Sequence, residues 1–568
     1  MRTGGVSRTF NPVLRFQKAR GYAMPVMKKT ENKSQTSLHH ESTSTPSSRE
    51  TYQLGSLGTT LRAALASREA RSIKRRLPEP SVLGKQSLID FTSNDYLSLS
   101  TSPLLRTRFL QKITAKDRGQ ILGSAGSRLL VNPDAHHRLE RRLENILSRP
   151  SRNELDTPQV GILFNSGFDA NMSFFTCIPQ PGDVIILDEY IHASVWDGVR
   201  ASRLAQDCVK TFEHNSIESI RTVLDRLLNV IPSDTSSASI AERLHSGSSS
   251  LFIAVESLYS MDGTLAPLRE INKLLSQLFP RKNAYLIVDE AHATGIYGPP
   301  SRPGCGRVSQ LGLDGGLGSP VGVTMREMDD GEECRVLARL HTFGKALAGS
   351  GAILLTTPLL TSYLINYARP LIYTTALAHP NVVLVDSAFD LMVEGETEQL
   401  STHLLALSAY LANLLQTELD KARISPEIVC LPPHLLSPTL SRSLESSSLS
   451  SNDHHDLSSP LLSSSSSPLH PPTPIMPLLT PHPRPLSAYL LALDMNARPI
   501  TWPTVPRGKE RVRVCLHSGN TKKDVEALVS GVVEWARGWT EQMKEKKEMK
   551  EMNVVVVDSL PLQTQSKL

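Results

Sequence analysis

Cysteine is sparse in this chain. Six residues in 568, Cys177, Cys208, Cys305, Cys334, Cys430 and Cys515, are widely scattered. None forms a CxxC pair, which suits a reducing compartment better than a disulfide framework or a zinc ribbon. A dominant charge is also missing. The formal net charge of +5 is small for the length and gives no argument for nucleic acid. No run is long and apolar enough to span a bilayer, which takes about 20 mostly apolar residues. The most apolar stretch, GAILLTTPLLTSYLINYA, carries Pro358, Asn366 and several hydroxyl side chains and reads as a buried strand followed by a helix. A phosphate loop is absent too. The string Asp289-Glu290-Ala291-His292 marks nucleotide-hydrolysing strands in other contexts, but that reading needs GxxxxGK[ST]. The three GK pairs are followed by Gln86, Ala346 and Glu510, which disfavours nucleotide hydrolysis.

The two ends point to different addresses. Residues 1–30 hold seven Lys or Arg and no acid, like a mitochondrial transit segment. The chain closes on Ser566-Lys567-Leu568, the tripeptide read by the peroxisomal import receptor. The peroxisome is the expected location, with the mitochondrion as the alternative.

Between the ends the chain reads as α/β. VGILFNSG, DVIILDEY, LFIAVES, AYLIVDE and AILLTT are β-rich runs of strand length. Helical patterns separate them, as in PDAHHRLERRLENILSR, where Leu139, Leu143, Ile146 and Leu147 share a face. Such alternation predicts a mainly parallel sheet covered on both sides. The expected organisation is a disordered leader (1–50), an N-terminal segment (51–110) and a large domain (111–375) with surface insertions near 231–250 and 312–334. A small domain follows (376–430 and 472–545), split by a Ser/Pro-rich disordered insertion (431–471), and a tail (546–568) closes the chain.

The chemistry collects in a few stretches. In AYLIVDEAHATGIYG, Asp289 falls where an apolar strand ends and His292 follows three residues later. Ligands of open α/β sheets bind at such carboxyl ends. Asn165-Ser166-Gly167-Phe168 lies between a strand and a helix start, where free N–H groups can hold a phosphate. His192 follows the next strand, placed to stack on a flat cofactor. In HTFGKALAGSGA, Lys345 stands among small residues with Thr342 three positions before it. A lysine for an aldehyde, a carboxylate for a pyridine nitrogen and donors for a phosphate together suit pyridoxal phosphate.

Eight motifs in order carry a family resemblance: LGSAGSRLLVNPDAHHRLE, LFNSGFDAN, LDEYIHAS, ESLYSMDGTLAPL, VDEAHATGIYG, HTFGKALAGSGA, LIYTTAL and PTVPRGKERVRV. Over roughly 85–380 and 472–535 the chain resembles the α-oxoamine synthases. These are fold-type I pyridoxal-phosphate transferases with a seven-stranded type of sheet, which condense an amino acid with an acyl-CoA and release carbon dioxide. The resemblance implies that Lys345 carries the cofactor as a Schiff base and moves protons at the substrate α-carbon. Asp289 pairs with the pyridine nitrogen and His192 stacks on the ring. Ser260 and His292 bond the phenolic oxygen. Gly167, Phe168 and Thr342 contact the phosphate, with Thr374 or Thr375 supplied by the second subunit of a homodimer. Arg513 holds the substrate carboxylate and Asn94 lines the same site, whereas Glu256 reads as structural or supporting. Two departures stand out: HATG replaces HGTG or HSTG, and CLHSGN replaces the usual continuation after the arginine strand.

Within the family, PITWPTVPRGKERVRV looks most like the biotin-pathway branch, which joins L-alanine to a pimeloyl thioester. The alternatives are glycine with succinyl-CoA, another acyl chain in specialised metabolism, or a catalytically silent partner subunit.

Overall fold

The computed structural model describes residues 55–71, 73–77, 88–115, 122–149, 158–229, 235–322, 332–436 and 473–558. The leader (1–50), nearly all of the 431–471 insertion and the closing Ser566-Lys567-Leu568 lie outside them. The chain forms two units, residues 1–74 and 75–568. In the first, Gly55–Ala70 is a helix on which Leu57, Leu61 and Leu65 are exposed.

The second unit holds twelve described strands. They are β1 (Ile89–Asp90), β2 (Val160–Phe164), β3 (Val184–Asp188), β4 (Val209–Phe212), β5 (Leu251–Glu256), β6 (Ala284–Asp289), β7 (Val336–Thr342), β8 (Ala352–Thr356), β9 (Ile475–Leu479), β10 (Met495–Asn496), β11 (Arg498–Ile500) and β12 (Arg511–Cys515). Seven of them form one sheet in the order β2-β8-β7-β6-β5-β3-β4. Every neighbouring pair is parallel except the two that involve β8, which is the mainly parallel sheet expected.

The sequence explains why this sheet is covered twice. All residues of β3 and β5 are buried, and successive side chains point to opposite faces. Val184, Ile186, Ile253 and Val255 join a core with the helices Ile217–Leu228 and Leu268–Leu278. Ile185, Leu187, Phe252 and Ala254 join another with the helix Gly167–Cys177. The helix Asp134–Leu147 buries Leu139, Leu143 and Leu147 at i, i+4 and i+8, with Ile146 half-buried against the same core.

A three-stranded antiparallel sheet, β11-β12-β9, follows late in the chain. Its Ile475, Val512 and Val514 belong to the same core as Phe343, Leu347 and Ile353. The short pair β1–β10 ties residues 89–90 to 495–496. Among the described residues no helix is long and apolar enough to cross a membrane.

Two stretches read as surface insertions are anchored in the core where they are described. Thr235–Ser246 is a helix, and its Ile240, Ala241 and Leu244 are buried. At 312–322 and 332–334, Leu313 and Cys334 are fully buried. The apolar residues sit singly among Ser, Gly and acidic neighbours, so composition alone pointed outward.

Candidate active site

The carboxyl ends of β2, β3, β5, β6 and β7 face one cavity of about 330 Å³. The turn after β2 supplies Asn165, Ser166, Gly167 and Phe168, and His192 comes from the turn after β3. Glu256 closes β5, Asp289 closes β6 with Ala291 and His292 beyond it, and Thr342 closes β7 ahead of Lys345. This convergence follows from parallel strands, which deliver every strand end to the same edge.

Lys345 lies in a tight turn. Ala348 donates its N–H to the Lys345 carbonyl at 3.0 Å, and Gly349 donates to Phe343 at 2.7 Å. Gly351 has φ +100°, and a Cβ there would stand 2.7 Å from Leu377 Cδ1 and 2.9 Å from the Phe164 carbonyl. The chain therefore passes too close for any larger residue. The Lys345 side chain is half-buried, and its amine makes neither a hydrogen bond nor an ion pair to any described residue. Burial pulls its amine below the ordinary lysine value. Asp289 and Glu256 oppose that shift, and Arg513 reinforces it.

Asp289 is held on both oxygens. Asn171 Nδ2 donates to Oδ2 at 2.8 Å, and the Ala291 N–H donates to Oδ1 at 2.9 Å. The same Asn171 amide reaches Ser194 Oγ at 3.0 Å, which lies 2.8 Å from His192 Nδ1. One polar chain thus links the two residues expected to hold the ring's edge and face. His292 is buried, and that burial holds its imidazole well below the ordinary value, so the ring is neutral. Lys345, Arg513 and His192 push the same way. Glu256 is buried, and its Oε1 has no partner among the described residues. Burial, with the Asp289 charge next in effect, lifts its carboxyl well above the usual range.

Not every expected residue lines this cavity. Arg513, in the middle of β12, donates from Nε to the Ser260 carbonyl at 2.6 Å and from Nη2 to Asn94 Oδ1 at 3.0 Å. Ser260, Asn94 and Arg513 therefore form one cluster beside the cavity. Thr374 and Thr375 are exposed and do not line it, although the Thr375 carbonyl accepts from Asn165 Nδ2 at 2.6 Å. Phe168 is also exposed, its ring edge-on to His192 at 6.4 Å between centroids.

Three residues beside the site, Asn171, Tyr96 and His517, carry no role in the sequence motifs, and a fourth, Glu256, reads there only as structural or supporting. Asn171 lies one helical turn beyond Gly167, a spacing that could have flagged it. Tyr96, fully buried, places its hydroxyl 2.6 Å from His292 Nδ1. His517 stands in the divergent CLHSGN stretch, with its ring 3.0 Å from both Ser93 Oγ and the Asp90 carbonyl. It ties the segment bearing Asn94 to the end of β12. At the other departure, Ala293 of HATG is fully buried.

The residues fit pyridoxal phosphate. The Gly167 and Phe168 N–H groups, at the start of the helix Gly167–Cys177, have no partner among the described residues. A Cβ on Gly167 would stand 2.4 Å from Thr342 Cγ2, so only glycine keeps this cradle open beside that threonine. An unpaired lysine, a carboxylate fixed from behind and a free helix N-terminus match the aldehyde, pyridine nitrogen and phosphate in turn.

Comparison with known proteins agrees with this geometry. The family model for aminotransferase class I and II matches residues 86–532. The 8-amino-7-oxononanoate synthase of Emericella nidulans is 39% identical over 482 residues, 85% of this chain and 96% of that protein. The aminoacyl transferase sphA of Byssochlamys spectabilis is 31% identical, covering 81% of this chain and 85% of its own. Among solved structures, the serine palmitoyltransferase of Sphingomonas wittichii aligns with a TM-score of 0.57 at 19% identity. It covers 85% of this chain and 97% of that one, a likeness of fold alone.

Proposed function

Since the chain belongs to the aminotransferase class I and II family, and within it to the α-oxoamine synthases, we propose that it makes 8-amino-7-oxononanoate from L-alanine and pimeloyl-CoA for biotin synthesis. It is a pyridoxal-phosphate-dependent transferase. The observation that carries the finer reading is the 39% identity to the Emericella nidulans synthase across 96% of that protein's length.

In this reaction the α-carbon of alanine bonds to the acyl carbon, coenzyme A leaves as the thiol, and the alanine carboxylate departs as carbon dioxide. Bound pyridoxal phosphate supplies an electron sink for negative charge at the α-carbon. Lys345 takes the α-proton and later returns one, a role suited to an amine that burial keeps easier to deprotonate. Asp289, braced by Asn171, is the carboxylate that would face the cofactor's nitrogen. Arg513 offers its guanidinium to the substrate carboxylate, fixed in place by Ser260 and Asn94. His192 and His292 would border the ring, and the Gly167 turn and Thr342 would take the phosphate. Thr374 and Thr375 serve the site of a second copy of the chain in a homodimer.

Coenzyme A release, measured for alanine, glycine and serine against pimeloyl-, succinyl- and palmitoyl-CoA, tests the assignment. Highest turnover with alanine and pimeloyl-CoA is expected. Preference for glycine with succinyl-CoA would overturn it. Preference for a long acyl chain would favour the second reading, an acyl transferase of the sphA kind, which rests on the 31% identity to that relative.

A further inference from the structure

Tyr96 has no role in the reaction as set out above, yet it is fully buried between two groups that do. Its hydroxyl lies 2.6 Å from His292 Nδ1, 3.3 Å from Asn94 Oδ1 and 3.4 Å from Arg513 Nη2. A phenol has one proton to give. The guanidinium can only donate, so the phenol oxygen accepts from Arg513. Asn94 Oδ1, which also receives a hydrogen from the same Arg513 nitrogen at 3.0 Å, is the longer and weaker acceptor for the phenol at 3.3 Å. The short contact therefore directs the tyrosine proton to His292 Nδ1. A neutral imidazole that accepts on Nδ1 carries its hydrogen on Nε2. That nitrogen has no partner among the described residues, and His292 lines the cavity.

We propose that Tyr96 is a positioning residue that fixes His292 in the tautomer with its hydrogen on Nε2, and so couples the carboxylate site at Arg513 to the cofactor ring. The chain of contacts runs Arg513 to Tyr96 to His292. In the required tautomer His292 is a donor to a ring oxygen; in the other it would present a lone pair and repel it. Arg513 acts on the phenol directly, so a carboxylate arriving at the guanidinium changes how strongly Tyr96 donates. Burial keeps both partners uncharged, raising the phenol and lowering the imidazole. The link therefore works by orientation rather than by net proton transfer.

The inference rests on reading the cavity as the cofactor site, and is independent of which acyl-CoA is used. The test is nitrogen-15 spectroscopy of the full-length, cofactor-loaded enzyme labelled at histidine, with the His292 signal assigned by its loss in His292→Asn. Nε2 should appear protonated and Nδ1 unprotonated. In Tyr96→Phe the two signals should move towards each other, and the visible band of the bound cofactor should shift. That variant should also lose turnover by about tenfold, the effect of one hydrogen bond, with the cofactor still bound at full stoichiometry. A proton on Nδ1 in the unmodified enzyme would overturn the proposal without recourse to any variant. Unchanged nitrogen signals and an unchanged band in Tyr96→Phe would also overturn it, leaving Tyr96 as packing. If no cofactor binds to the unmodified chain, the reading of the site fails instead.

Discussion

Glu256 shows how a single residue can be plain in the sequence and still misjudged. An acid at a strand end fits a support as well as a site. What decides the matter is the pairing of β5 with β6, which sets Glu256 directly beside Asp289. Strand order is not written in local sequence, so that adjacency could not be seen from the motifs. Two carboxylates this close resist joint ionisation, and burial raises Glu256 well above the usual range, which favours its protonated form. Its amide isostere should therefore serve. Glu256→Gln is expected to retain cofactor and most of the turnover, within roughly threefold. Glu256→Ala should lose stability by about 1–3 kcal/mol, through a cavity and unpaired polar neighbours. Equal losses of turnover in the two variants would mean that the ionised carboxylate is needed. Lys345, Asp289 and His292 were legible for the opposite reason: each has its partners of the same motif within a few positions. Tyr96 and His292, 196 positions apart, meet only in the folded chain.

At the level of elements, the apolar runs were the clear signal, and the turns between them carry the strain. Two turn features lend themselves to measurement. The first is the cradle at the start of the helix Gly167–Cys177. Adding one methyl in Gly167→Ala should push against the stiff Thr342 side chain, 2.4 Å away, at a cost of about 1–3 kcal/mol. Since Thr342 borders the phosphate turn, equilibrium dialysis should show roughly 5- to 150-fold weaker cofactor retention. The second is a clamp between the end of β3 and the turn after β5. His214 lies 2.9 Å from Asp188 and 3.1 Å from Asp262, and its ring stacks on Tyr190 at 4.4 Å. Burial alone would lower its affinity for a proton. The hydrogen bonds to Asp188 and Asp262, and their charges, prevail and push it up to about 9. A group raised above its unfolded value of 6.5 stabilises the fold fully below that pH. The contribution is then lost as pH climbs through about 9. At ~1.4 kcal/mol per pKa unit the clamp contributes about 3 kcal/mol. Melting temperature should thus fall between pH 6.5 and 9.5, and His214→Gln should lower it at pH 6.5 while flattening the slope. A wild-type curve that stays level over this range would remove the charged clamp.

For the whole molecule, two of the residues expected at the site do not reach the cavity of their own chain. Thr374 and Thr375 are exposed and do not line the cavity, yet the resemblance assigns one of them to a phosphate. Near them in sequence, Tyr373, Tyr367 and Leu359 are exposed apolar side chains, as are Leu129 and Leu130 from the turn before the helix Asp134–Leu147. A second copy related by a two-fold axis would cover such a surface and lend its threonines to this cavity. Composition could not reveal this, because the sequence of one chain does not say which of its residues act in another. Complementation can. Lys345→Ala should abolish turnover and the visible absorbance of lysine-bound cofactor, and a Thr374→Val, Thr375→Val double variant should lose most turnover through weaker phosphate binding. Mixed by co-expression, random pairing makes half the dimers hybrid. Each hybrid then holds one site with both the lysine and the threonines intact, so activity should recover to about a quarter of wild type. Threonines that served their own chain's site would leave the mixture at no more than the average of the two parents. That outcome would confine the site to one chain.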